Sequence, residues 1–107
     1  MKRLWFKAEM KDAILLGVKR ATTRTKPLKV GERFQAVSGC RFNAKPFAVL
    51  KITSRREIDD LTLHCIKHHL AEGFVSGPEM GAYIRKNLPK YLHIRPLYYH
   101  TFQEIFV

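Results

Sequence analysis

The run Gly17-Val18-Lys19-Arg20-Ala21-Thr22-Thr23-Arg24 puts a cation, a hydroxyl and a guanidinium at a spacing that can gather them around one small anionic or polar ligand. Gly17 can take a positive φ at a helix end at little steric cost. Beyond it Thr22 and Thr23 favour an extended strand, on which Thr22 and Arg24 point to the same face, with Lys19 in the turn leading in. A threonine hydroxyl is a nucleophile only when a base lies within hydrogen-bond reach, and a lysine amine is a base only when its pKa is lowered. In a partly enclosed pocket, desolvation and the like charges of Arg20 and Arg24 would lower that of Lys19. Much further along, Glu72 falls at the end of a predicted helix, where the macrodipole disfavours an anion. A carboxylate there that reached Lys19 would be a candidate proton shuttle. The same residues also serve binding without turnover, with Lys19 and Arg24 holding a phosphate or a base carbonyl and Glu72 pairing with them. The run is not a nucleotide-binding P-loop, which needs a second glycine just before the lysine and a hydroxyl just after it.

Two other groupings invite chemistry. In His64-Cys65-Ile66-Lys67-His68-His69, the pairs His64/His68 and Cys65/His69 lie on common helix faces. No third and fourth ligand follows at a recognised spacing and Lys67 adds repulsion, so no metal and no cofactor is expected, and the histidines read as a solvated helix face. Glu72, four residues after His68, could complete a two-histidine-one-carboxylate set. His93 and His100 read as structural. Among the aromatics most belong to the core, with Phe42 and the pair Tyr98–Tyr99 the better candidates for exposure and for stacking on a base.

Charge sets the class of partner. Of the 107 residues, 20 are Lys or Arg and 9 are Asp or Glu, a net charge of +11. The excess is confined to the first half: residues 1–56 hold fifteen cations against three acids, whereas residues 57–107 hold five against six. Such asymmetry implies a polyanionic partner, RNA or a nucleoside or nucleotide ligand. A basic surface is expected from the Lys19–Arg24 turn across Lys26, Lys29, Arg33, Arg41 and Lys45, with Arg20, Arg24, Lys26, Lys29 and Arg41 as ligand contacts. No apolar run approaches the roughly 18 residues of a membrane span, and the basic N-terminus lacks the apolar stretch of a signal peptide. Cys40 and Cys65 share no metal-ligand spacing and default to reduced thiols. A cytoplasmic location without membrane contact follows as the expectation; the oligomeric state is not encoded in any pattern.

The elements that position these residues make one domain over residues 1–107. Leu4-Trp5-Phe6 reads as a buried strand and residues 8–16 as a short amphipathic helix feeding the Gly17 turn. Strands follow over 20–25, around Phe34 and Ala36, and over 47–54, where Ala48, Leu50 and Ile52 share a face. Asp59–Asp60 caps a helix predicted through about Glu72, with Leu63, Ile66 and Leu70 at spacings of three and four and Gly73 just past its end. Ser76-Gly77-Pro78-Glu79 has capping-box spacing and opens a helix with Met80, Tyr83, Ile84 and Leu88, stopped by Pro89. Residues 98–107 form a closing strand. Strands outside and helices in the middle predict an α+β fold built on a small closed sheet with helical cover.

The pattern Gly-x-Lys-x-x-Thr-x-Arg at Gly17, Lys19, Thr22 and Arg24 resembles the signature of the ASCH family. Lys29-Val30-Gly31-Glu32 resembles its entry into a barrel strand, and Ala71-Glu72-Gly73-Phe74 its acidic segment after the middle helix. The three stretches occur in order and span essentially the whole chain. The resemblance implies a PUA-like β-barrel with two or three covering helices and a link to RNA. Small family members include amidohydrolases that remove the acyl group from N4-acetylcytidine. By that resemblance Lys19, Thr22 and Glu72 would be the catalytic lysine, threonine and glutamate, working without a metal. Other members are reported as ribonucleases, which here would use Lys19 with a histidine or glutamate around a scissile phosphate; no histidine is near the motif in sequence. The surplus of cations over residues 25–56 exceeds what a free nucleoside requires and favours RNA or a modified nucleoside held in a basic cleft, with amidohydrolase activity as the alternative.

Overall fold

A computed structural model describes residues 1–39, 45–87 and 96–105. Strand β1 (Lys2–Phe6) leads into helix α1 (Ala8–Leu15), then β2 (Ala21–Arg24), β3 (Arg33–Ser38) and β4 (Ala48–Glu57). Helices α2 (Leu61–His68) and α3 (Gly77–Asn87) precede the last strand, β5 (Tyr98–Ile105). The five strands form one curled mixed sheet, a half-barrel, in the order β1-β3-β4-β5-β2. β1 runs parallel to β3, and the remaining neighbours are antiparallel. The fold is therefore the expected α+β small barrel with three helices.

The order has a consequence for the site. The first two strands in sequence occupy the two margins of the sheet, and α1 with the turn after it must bridge between them. That turn is closed by Gly17 at φ 78° and by the amides of Val18 and Lys19, both donating to the Ala13 carbonyl at 2.9 Å. The concave side is filled by alternate strand residues: Leu4 and Phe6, Phe34 and Ala36, Leu50 and Ile52 are buried. A register shift between Ile52 and Ser54 bends the long β4–β5 ribbon.

Helix α2 departs from expectation in length and in face. Its N-cap is Asp60, whose carboxylate accepts from the Leu63 amide at 3.1 Å, but it ends at His68 rather than near Glu72. Residues 69–73 turn instead, and Gly73 takes φ 89°. Leu63, Ile66 and Leu70, the apolar residues that should face inward, are 46%, 59% and 65% exposed. The helix buries His64 and Cys65 in their place. Packing against α3 fixes that rotation: at Gly77 a Cβ would sit 3.3 Å from the Cys65 backbone. α3 begins as its capping box predicts, the Ser76 hydroxyl accepting from the Glu79 amide. No helix is long and apolar enough to cross a membrane, among the described residues. Cys40, Arg41, Phe42, Leu88, Pro89, His93 and residues 106–107 lie outside the described residues.

Candidate functional site

Where β2 leaves the Gly17 turn, its backbone is stitched to the end of the α2 turn. The amides of Arg20 and Ala21 both donate to the Ala71 carbonyl. Gly73 lies against the Lys19 side chain so closely that a Cβ there would be 3.3 Å from the Lys19 Cβ. These contacts bring residues 19 and 72 together although nothing local in the sequence does. The Lys19 amine, 4% exposed, donates to the Ala21 carbonyl at 2.8 Å and to the Glu72 main-chain carbonyl at 2.9 Å.

Lys19 and Glu72 thus meet, but through the glutamate's backbone. The Glu72 carboxylate, in a residue only 2% exposed, has different direct partners: its Oε2 accepts from the Thr23 hydroxyl at 2.8 Å and from His64 Nε2 at 3.1 Å. Thr22 and Arg24 share a face, as the extended run requires, and Arg24 Nε donates to Thr22 Oγ1 at 3.1 Å. The guanidinium also donates to the Trp5 carbonyl at 2.7 Å and stacks 4.7 Å from the centre of the Phe6 ring. It therefore links the two sheet margins.

These groups line a cavity of about 250 Å³. β1 contributes Trp5 and Phe6, α3 contributes Tyr83 and Asn87, and Phe74 comes from the turn between the helices. Because β2 is a margin strand, both of its faces reach the cavity, so Thr22 and Thr23 line it together. At the mouth Lys7 bonds the Asn87 side chain and lies over the Tyr83 ring.

The electrostatics follow from burial. Removal from water pushes the Lys19 amine down to about 8; Glu72 opposes the shift and Arg24 adds to it. Burial likewise lowers Arg24 to about 10, so it stays cationic at neutral pH. Around Glu72, desolvation raises the Cys65 thiol and the Tyr83 and Tyr99 phenols, keeping them protonated. His100, fully buried and opposite Thr22 in the β2–β5 register, is lowered first by burial. Its Nε2 accepts from the Leu28 amide at 2.9 Å and so holds the loop that follows β2.

The expected ligand contacts divide. Arg24 is half-buried inside the cavity, while Arg20, Lys26 and Lys29 are exposed at the two ends of β2; Arg41 lies outside the described residues. Thr23, Tyr83 and the β1 aromatics were not assigned to the site from the sequence, and His64 was weighed there only as a metal-ligand candidate with His68. Thr23 was hidden by strand alternation, and His64 by a helix whose apolar residues face the other way. The histidines are not a solvated face: His64 is 5% exposed, its ring 4.7 Å from that of Tyr99. Tyr99 is itself buried, against the expectation of exposure.

No family model and no curated protein sequence matches the chain. Solved structures do. A protein from Enterococcus faecalis V583 superposes with a TM-score of 0.67 at 18% identity, over 98% of this chain and 80% of that one. ASCH from Zymomonas mobilis gives 0.68 at 12% identity, over 94% of this chain and 64% of the other. The ASCH domain from Lactobacillus crispatus JV V101 gives 0.59 at 16% identity, over 90% and 70%.

Proposed function

We propose that this chain, whose fold is that of the ASCH domains, takes one modified cytidine base into the cavity beside Lys19 and hydrolyses the amide that joins an acyl group to N4. The observation that best supports this is a lysine amine almost wholly removed from water, lowered to about 8, beside a buried carboxylate and a threonine lining the same cavity. A lysine meant only to attract phosphate gains nothing from such burial. One meant to accept a proton at neutral pH requires it. The cavity admits a base between the aromatic side chains of Phe6, Phe74 and Tyr83, not a duplex.

In this reading the Thr22 oxygen attacks the acyl carbonyl carbon while its proton passes to Lys19. The Arg24 guanidinium, already donating to that oxygen, favours negative charge on it, and Glu72 favours the lysinium that forms. The C–N4 bond breaks, N4 takes the proton from Lys19, and cytidine leaves. Water, deprotonated by Lys19, then attacks the threonyl ester; the carbonyl carbon–Thr22 oxygen bond breaks, Lys19 returns the proton to that oxygen, and the carboxylic acid leaves. Incubation with N4-acetylcytidine tests it: cytidine and acetate should appear in equal amounts, and failure to form cytidine would remove the activity.

A second reading, RNA binding in the same basic cleft without turnover, is favoured by the exposed cations Arg20, Lys26 and Lys29 flanking β2. It requires affinity for single-stranded RNA that falls steeply with salt.

A further inference from the structure

We propose that His64 is a positioning residue that holds the Glu72 carboxylate in place beside Lys19. The inference deepens the catalytic reading of this cavity, and its kinetic consequence rests on that reading.

Three observations carry it. α2 turns a histidine inward while Leu63 and Ile66 of the same helix stand in solvent. Of the two residues that this rotation buries, His64 donates to Glu72 Oε2, at 3.1 Å. The carboxylate can only accept, so Nε2 carries the hydrogen of that bond. Finally, the imidazole is held from behind. Its ring lies 4.7 Å from Tyr99 and 4.9 Å from His68, and His68 is in turn 4.6 Å from Tyr99 and bonded at 2.9 Å to Arg56. His64 therefore has a fixed ring, one donor aimed at the carboxylate, and no place in the first cavity itself; it lines a second one, of about 180 Å³, on the far side. Thr23 donates to the same oxygen from β2, so a strand and a helix grip the carboxylate from opposite sides.

The readout is Lys19, because Glu72 is the group that resists the fall of its pKa. The other titratable groups coupled to Glu72 are Arg24 on β2, Cys65 and His68 on α2, Tyr83 on α3, and Tyr99 and His100 on β5. None of them is altered by the substitutions that follow. If His64 is replaced by a residue without a donor, the carboxylate loses that hold and swings away. That withdraws negative charge from Lys19 and lowers its pKa.

The test follows the Lys19 Cε resonance by NMR across pH in the full chain with 13C-labelled lysine, assigned with Lys19→Arg. The wild-type midpoint should lie near 8. His64→Leu should lower it by roughly one pH unit, as expected for loss of a nearby opposite charge, and His64→Gln, whose amide can donate to Glu72, should restore it. An unchanged midpoint in a folded His64→Leu overturns the proposal. If that variant does not fold, His64→Asn, too short to reach the carboxylate, decides in the same way: a lowered midpoint supports the proposal and an unchanged one overturns it. Turnover of N4-acetylcytidine, measured on the same samples, should lose kcat with KM unchanged in His64→Leu. A wild type without turnover refutes the amidohydrolase and leaves the Lys19 titration to decide on His64.

Discussion

At the scale of single residues, the cost of Lys19 is as informative as its position. The folded chain holds the amine lowered to about 8, against an ordinary value of 10.5. Between those values the unfolded chain binds more protons than the folded one, so this group makes stability rise with pH across the window from about 8 to about 10.5, and below 8 its full penalty is present. The penalty is on the order of 3 kcal/mol. Urea denaturation of wild type and Lys19→Met at pH 7 and pH 10 isolates it: the wild type should gain on the variant as pH rises, and a difference that stays flat refutes the lowered amine. The proposed catalysis has the same sign. A lysine base works only when neutral, so kcat/KM for N4-acetylcytidine should climb through about pH 8 and level off above it. Thr22→Val should abolish turnover while leaving cytidine affinity close to wild type, because the hydroxyl acts in the transition state. Lys19, Thr22 and Arg24 were legible in the sequence because one strand and the turn leading into it carry them. Thr23 was not, since alternation sends neighbours to opposite faces; only a margin strand lets both reach one cavity.

At the scale of elements, α2 and the turn after it carry the lesson. The strands were readable because Phe34, Ala36, Leu50 and Ile52 alternate with residues that are not on the core face. The face of α2 was not, because Leu63, Ile66 and Leu70 point to water while the helix buries His64 and Cys65. Burying an aliphatic side chain is worth about 1.5–3 kcal/mol. A helix that forgoes this at Leu63 and Ile66 is held by its contact with α3 and by the His64–Glu72 bond. Leu63→Lys and Ile66→Lys should therefore change stability by no more than about 0.5 kcal/mol, measurable by urea titration; a larger loss would mean that these side chains are covered. The length of α2 was also misread, since Gly73 ends the whole turn rather than the helix. There, Gly73→Ala meets a positive φ and the Lys19 side chain at once. It should cost about 1–2 kcal/mol and lower turnover by displacing the amine. Loss of stability with full turnover would show that Lys19 does not depend on this contact.

At the scale of the whole molecule, charge and topology act on the same edge of the domain. Arg20, Lys26 and Lys29 are exposed around β2, and each phosphate they neutralise releases a counterion. The slope of log affinity for single-stranded RNA against log salt should shrink by about 2 when all three are changed to alanine. A slope that does not move would leave the excess charge of the first half without a role in binding. The charge asymmetry was plain in composition, but Lys19, counted with the surface cations, proves to be interior. No composition separates the two, because a buried lysine and an exposed one are the same letter.

The guanidinium of Arg24 reaches from β2 to the Trp5 carbonyl on β1, across the one gap that the strand order leaves open. The sheet is thus a wrapped ribbon whose clasp is also a wall of the Lys19 cavity. A guest that sits against Arg24 presses on the clasp from inside, so occupancy and closure of the ribbon are two descriptions of one event. An empty domain and a filled one should therefore differ in how readily the overlap breathes: amide hydrogens of β1 and β2 should exchange more slowly once the guest is bound, while those in the middle of β4 stay as they were.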